Sequence, residues 1–465
     1  MNQFFDTLNS DNQETGEKEM TERVKPELLG GFRDYLPADM INRQMFIEKI
    51  QKIYERFGFV PLDTPAIERS SVLGTDIPDF GMEVYRFTAG DQDVTLRFDL
   101  TVPLARVIAA YPDLPKPFKR YQIGKVWRKE KPQAGRFREF VQFDVDIVGS
   151  KSMLADTEII IIIYTTLTEL GVDKFLIRFN SRKVLNALPE YVGFDPKRTK
   201  DVLRILDKLE KVGLDKVKEE LKRQPENVYD EALAFSDESI KKIIVFLQIS
   251  SGDNIEILKR LSGVFGGNET AKAGIKELRE ICDNLIVAGI PQKNWEIDLS
   301  VARGLDYYTG PVFETTLLEL PSIGSVFSGG RFDGLIGKFA NDSIPATGAS
   351  IGVDRFYAAL EQLGKLKTIP TTTKVLVTVF NELLGKKSLE FAQKLRNTGI
   401  NTEVYLNEEK LLKEQMIYAV KQEIPFVVII GPDEEKKGMV TLKDLQTRKQ
   451  VLLTEEECLA MLKGS

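Results

Sequence analysis

Residues 118–149, FKRYQIGKVWRKEKPQAGRFREFVQFDVDIVG, constrain this chain more than any other stretch. Two alternating, β-rich runs flank a loop crowded with Lys and Arg, which reads as a strand, a basic loop and a returning strand. From Lys116 to Arg138, nine basic residues (Lys116, Lys119, Arg120, Lys125, Arg128, Lys129, Lys131, Arg136 and Arg138) stand against Glu130 alone. The planar guanidinium groups of Arg128, Arg136 and Arg138 could clamp a polyphosphate, with Glu130 accepting from an exocyclic amine. The same composition also suits an edge hairpin with solvated charges.

The rest of the chain narrows the choice by exclusion. Its 465 residues contain no histidine, where ordinary usage of roughly 2% would give about ten. An imidazole general base, a Ser-His-Asp triad and a His-ligated zinc are therefore impossible within this chain. Cys282 and Cys458 are the only cysteines and lack metal-type spacing, so no metal site built on His or Cys is expected and a reducing cytoplasm is. The composition, 42% hydrophobic and 29% charged, is ordinary for a globular protein. No run reaches the ~18 apolar residues of a membrane span, so no membrane association is expected. A net charge of −6 argues against a generalist nucleic-acid binder but leaves room for a local basic grip on one RNA.

Periodicity divides the chain. Residues 1–24 read as a disordered polar tail without targeting features. Helical spacing of Ile41, Met45, Phe46, Ile50 and Ile53 predicts an amphipathic helix over 39–57, followed by an extended strand to Pro65. Residues 153–170 predict a helix and 174–180 a strand, with the apolar run Ile159 to Tyr164 buried. Residues 191–290 become strongly helical and read as an insertion. Strand-like alternation returns at 295–299, 312–318 and 326–327, before a helix at 354–363. The segments 25–190 and 291–365 thus predict one split, strand-rich domain. Residues 366–373 mark a linker. Over 374–465, KVLVTVF, a helix at 383–397, TEVYL, a helix at 408–420, FVVIIG and MVTLKDL alternate, which predicts a sheet with helical crossovers.

The pattern W-R-x-E…R-x-R-x-F-x-Q-x-D of the hairpin resembles motif 2 of the class II aminoacyl-tRNA synthetases. Arg303-Gly304-Leu305-Asp306-Tyr307-Tyr308 is similar to the signature peptide of the histidyl-tRNA synthetase family. Further blocks follow in the family's order: Gly31-Phe32-Arg33-Asp34 with Thr64-Pro65 (motif 1), Leu96 to Thr101, Gly329-Gly330-Arg331-Phe332-Asp333-Gly334, and Gly348 to Arg355 (motif 3). The resemblance runs from about Lys25 to about Leu462. It implies an α+β protein: a class II antiparallel-sheet catalytic domain with a helical insertion, plus a C-terminal α/β anticodon-binding domain. It further implies a homodimer built on the first helix and strand.

What the resemblance implies for chemistry is ATP-dependent activation of L-histidine to the adenylate, then transfer to the 3′ end of tRNA(His), with Mg²⁺ on the phosphates. Attack of a carboxylate on the α-phosphate needs cations around developing charge and no protein nucleophile. By resemblance, Arg128 and Arg303 are catalytic. Arg128, Glu130, Arg138, Phe140 and Arg355 bind ATP. Asp99, Thr101 and Gln142 take the α-ammonium, and Asp146 and Tyr308 the ring, with Arg303 and Tyr307 beside them. Phe332 stands where the family often has Tyr. Two other readings compete: a regulatory paralog partnering ATP phosphoribosyltransferase, which typically lacks the anticodon domain, and a tRNA-sensing module fused to a kinase. Intact Arg128, Arg303 and Arg355 argue against both, the long C-terminal unit against the first, and the lack of any kinase-like segment against the second. The missing histidines fit a lineage of low histidine content, and in a histidine-charging enzyme they would also let the chain be translated when charged histidine is scarce.

Overall fold

The computed structural model describes residues 24–73, 84–129, 137–224, 233–302, 307–340, 342–366, 369–407 and 411–464. Residues 1–23 of the expected tail, Glu130, Arg136 and Arg303 to Asp306 lie outside them. In chain order the first eleven strands are β1 (Val60–Pro61), β2 (Ile67–Arg69), β3 (Arg86–Ala89), β4 (Gln92–Leu96), β5 (Phe118–Trp127), β6 (Glu139–Val148), β7 (Phe175–Ser181), β8 (Trp295–Ile297), β9 (Pro311–Leu317), β10 (Phe327–Arg331) and β11 (Ala346–Gly352).

The hairpin is real and central. β5 and β6 pair antiparallel from Phe118 opposite Val148 to Trp127 opposite Glu139. They sit inside an eight-stranded sheet of order β1-β5-β6-β11-β10-β9-β7-β8, so strands from before and after the helical segment close one sheet. Only the edge pairs β1/β5 and β7/β8 run parallel. β2, β4 and β3 form a smaller antiparallel sheet. The strand expected from Phe59 to Pro65 shrinks to β1, because it is an edge strand holding one neighbour and ends at a proline.

One face of the large sheet rests on the Met153–Glu169 helix, whose Ser152 caps the Leu154 N–H at 3.2 Å. Ile159, Ile160, Ile162, Ile163 and Leu167 are fully buried around its circumference. A helix apolar on all sides must have neighbours on all sides. Here they are the sheet, the Pro37–Arg56 helix and the Glu269–Val287 helix. The Pro37–Arg56 helix turns Phe46, Ile50, Ile53 and Tyr54 inward, whereas Met45, expected on the same face, is half exposed.

The segment of helices includes Thr199–Leu206, Leu214–Lys222, Asp237–Gln248, Asn254–Phe265 and Glu269–Val287. It also covers the open edge of β8: Ile297 N donates to Asn254 Oδ1 at 2.8 Å and Leu299 N to Ser250 Oγ at 2.9 Å. Capping an edge in this way removes a template for foreign strands.

The C-terminal strands are β12 (Val375–Val377), β13 (Thr402–Val404), β14 (Phe426–Ile429), β15 (Met439–Asp444) and β16 (Gln450–Thr454), in the order β13-β12-β14-β15-β16. Helical crossovers make the first three parallel. The last step departs from the expected alternation. The Pro432–Lys437 helix ends at Gly438 with φ 64°, and the chain reverses into an antiparallel meander. The helix expected at 408–420 begins at Leu412, because Leu411 is extended and its N–H donates to Glu414 Oε2 at 3.0 Å.

Candidate active site

Side chains two apart on a strand share a face. Gln142, Asp144 and Asp146 of β6 therefore project together, and they line a cavity of about 290 Å³ with Asp99, Thr101, Arg128, Tyr307 and Tyr308. Across the ladder Gly348 opposes Asp146. A Cβ there would lie 2.0 Å from Asp146 Oδ1 and 2.6 Å from the Val145 carbonyl. Gly330 likewise admits the Tyr308 ring, 2.9 Å from where its Cβ would stand. Close approach, rather than positive φ, is what these glycines supply.

Beneath the cavity Arg120 is completely buried. Its Nη2 lies 2.8 Å from Asp146 Oδ2 and donates to the Leu100 carbonyl at 3.1 Å. Asp99 is held by its own helix start, with Val102 N donating to Oδ1 at 3.0 Å. Gln142 Nε2 donates to Ser350 Oγ at 2.8 Å, and Ser350 is hydrogen-bonded to Asp144. Asp99 Oδ2, Gln142 Oε1 and Asp144 Oδ1 are all buried with no hydrogen-bond partner among the described residues. Such atoms each cost ~1–3 kcal/mol, so three together weigh on the order of 5 kcal/mol. Water or a ligand that enters the site can supply the donors.

Burial pushes the carboxyls of Asp99, Asp144 and Asp146 up, against the Val102 N–H and Arg128 at Asp99 and against the guanidinium of Arg120 at the other two. Burial, then the neighbouring acids, also push the Tyr308 phenol well above its usual range; for Tyr307 burial acts first, then Tyr308 and Asp99. Both tyrosines stay protonated and can donate. Tyr307 is hydrogen-bonded to Thr101. Phe332, buried, sets its ring centroid 6.0 Å from that of Tyr307, so the aromatic packing survives without a hydroxyl.

At the cavity mouth the Arg128 guanidinium lies 4.2 Å from the Phe98 ring centroid and 5.2 Å from that of Phe140. Its Nε donates to the Phe98 carbonyl at 3.3 Å. Arg97, buried below, donates to the carbonyls of Thr64 (2.6 Å) and Lys125 (2.9 Å). Gly124 makes room for it: a Cβ there would stand 2.3 Å from Arg97 Nη2. Asp354 of motif 3 fixes three elements at once. It pairs with Arg43 at 2.6 Å, accepts from Val141 N at 2.7 Å and is hydrogen-bonded to Tyr35. Beside it, Arg355 Nη1 donates to the Ser325 carbonyl at 2.9 Å.

The structure thus brings together seven of the expected residues, Asp99, Thr101, Arg128, Gln142, Asp146, Tyr307 and Tyr308. Phe140 joins them through Arg128. Arg138 and Arg355 stand outside the cavity lining; Arg138 Nη1 donates to the Gly30 carbonyl at 3.0 Å. Glu130 and Arg303 lie outside the described residues. Sequence reasoning gave no role to Asp144, Ser350 or Arg120, although all three stand in segments it singled out. The period-two run Gln142, Asp144, Asp146 carried the signal for the first.

Residues 31–356 match the family described as Histidyl-tRNA synthetase, and residues 374–465 match the Anticodon binding domain. The chain is 42% identical over 449 residues to a histidine–tRNA ligase of Clostridium tetani, covering 95% of this chain and 99% of that one. It is 43% identical over 431 residues to the ligase of Rhodopirellula baltica, covering 92% and 95%. The crystal structure of histidyl-tRNA synthetase from Nostoc sp. PCC 7120 superposes with a TM-score of 0.82 at 34% identity, over 95% of this chain and 99% of that one. With matched family segments on both sides of the 366–373 stretch, and relatives aligned over nearly their whole length, the chain belongs to the histidyl-tRNA synthetase family of class II aminoacyl-tRNA ligases.

Proposed function

We propose that this protein activates L-histidine with ATP and transfers it to the 3′ end of tRNA(His), working as a cytoplasmic homodimer. The observation that carries the reading is one cavity lined together by Asp99, Gln142, Asp144 and Asp146, a set rich in acceptors, with Tyr307 and Tyr308. They fit a small ligand rich in N–H groups, which histidine is through its α-ammonium and ring. The phenols of Tyr307 and Tyr308 supply donors to the same space.

In this reading Asp99, Thr101 and Gln142 hold the ammonium, and Asp146 with Tyr308 holds the ring. The substrate carboxylate then points toward Arg128. Arg128 and Arg303 bind and neutralise the reacting α-phosphate, charge that grows only as the bond forms. Phe140 and Arg355 sandwich adenine, Glu130 reads its amine, and Arg138 supports the phosphate end. Mg²⁺ held by the ATP phosphates would offset their charge. The 374–465 unit binds the anticodon across the 366–373 linker, while 25–190 and 291–365 form the catalytic domain and 191–290 the insertion. Half-exposed Met40, Met45, Val60 and Ile67 support a dimer face on the first helix and edge strand.

ATP–pyrophosphate exchange measured across the twenty amino acids tests the reading. Exchange with histidine alone is expected. Exchange with another amino acid in preference to histidine refutes it.

A further inference from the structure

Tyr307 and Tyr308 reach the cavity on a short segment, 307–310, whose anchor stands outside the cavity lining. That anchor is Arg331, 2% exposed at the end of β10. All five of its side-chain N–H groups have acceptors: Nε and Nη2 donate to Asp156 Oδ2, the former at 3.2 Å, Nη1 to the Ser150 carbonyl at 3.0 Å and to Asp333 Oδ1 at 3.2 Å, and Nη2 to the Ser152 carbonyl at 3.3 Å. Asp156 is itself completely buried, in the first turn of the Met153–Glu169 helix. On its other side Arg331 meets the tyrosine segment. Thr309 N donates to the Arg331 carbonyl at 2.8 Å, and Asp333 N donates to Thr309 Oγ1 at 3.0 Å. Gly310 admits the stem of Arg331, 3.0 Å from where its Cβ would stand, as Gly330 admits the Tyr308 ring.

We propose that Arg331 is a positioning residue for amino-acid activation, a role that rests on the histidine reading above. Clamped to Asp156 and the helix start, it sets the 307–310 segment and thereby where the Tyr308 phenol stands in the cavity. A buried ion pair is a weak source of stability, because desolvation offsets its attraction and apolar residues of similar volume commonly do as well. What five directed bonds from a rigid planar fork supply is orientation. Arg331 does not line the cavity, so it acts on histidine only through the tyrosine segment. Misplacing a substrate contact by about 1 Å through a distant change can cost about 100-fold. ATP, which the reading places on Arg128, Phe140 and Arg355, is untouched.

ATP–pyrophosphate exchange kinetics over a double-mutant cycle test this role. Arg331→Lys keeps a cation beside Asp156 but loses the fork, and the histidine KM should rise about 10- to 100-fold with ATP KM unchanged. In a Tyr308→Phe background the same change should raise the histidine KM by about twofold or less, because the phenol it places is gone. A merely stabilising pair would give the same factor in both backgrounds. Asp156→Asn, equal in size, takes the place of Arg331→Lys if that variant does not fold. An unchanged histidine KM in a folded variant, an equal rise in ATP KM, or the same factor with and without the phenol overturns the role of Arg331, while histidine-dependent exchange by the wild type leaves the broader reading standing. Wild-type exchange that does not depend on histidine overturns the broader reading first, and this role with it.

Discussion

Replacing Arg120 by Met should destabilise the protein and do so more at high pH than at low. Arg120 is fully buried and lies 2.8 Å from Asp146 Oδ2. At that distance two unit charges attract by roughly 6 kcal/mol in an effective dielectric of about 20. Desolvation cancels part of this, and losing one partner of a buried pair costs about 3–5 kcal/mol because the other charge stays behind. The carboxyl of Asp146 is already raised to about 7, burial first, with Arg120 opposing. Removing the cation raises it further. A carboxyl whose folded pKa exceeds its unfolded value stabilises the fold below the unfolded pKa and loses that contribution as pH rises through the folded one. Near pH 5 protonation therefore relieves the stranded charge, and at pH 8 more of the penalty stands than at pH 5. At roughly 2–4 °C per kcal/mol, the melting temperature at pH 8 should fall by about 10 °C. Circular-dichroism melts of both proteins at pH 5 and pH 8 measure it. A loss below about 3 °C at pH 8, or equal losses at both pH values, refutes the argument that Arg120 neutralises the cavity floor.

Gly348→Ala would place a Cβ 2.0 Å from Asp146 Oδ1 and 2.6 Å from backbone, so about 1–3 kcal/mol of stability and a rise in histidine KM are expected; a melt and exchange kinetics matching wild type contradict it. Arg303→Ala should keep fold and dimerisation while adenylate formation drops about 100- to 1000-fold, the usual loss for a donor acting in the transition state. Near-normal exchange rates would remove its role. Deleting residues 374–465 should leave histidine-dependent exchange largely intact while tRNA charging collapses; a folded truncation without exchange would show that the two units are not separable.

Much of this was legible in the residues. The hairpin could be read because period-two alternation and a dense basic loop are local signals, and they placed β5 and β6 correctly. The Met153–Glu169 helix could be read from its apolar run. Arg120 could not. Counted along the chain it belongs to a basic strip, yet its buried position comes from Leu100 and Asp146, which reach it only in the fold. Asp144 closes the motif 2 pattern, yet the resemblance gives roles to Gln142 and Asp146 alone, although strand alternation puts all three on one face. The Thr101–Ala110 helix escaped notice behind Pro103, which a first turn tolerates. β1 and the exposed Met45 depend on what lies beside them, which periodicity alone does not specify.

The central claim is that the cavity reads the histidine side chain, and Asp146→Asn tests it most directly. The change keeps size and removes a charged acceptor worth about 1.5–3 kcal/mol. At ~1.4 kcal/mol per decade, histidine activation in the exchange assay should fall about ten- to hundredfold. ATP KM should stay where it was. Unchanged histidine KM and turnover, or a weakened ATP KM in their place, would mean that Asp146 does not face the substrate ring and that the cavity serves another part of the reaction.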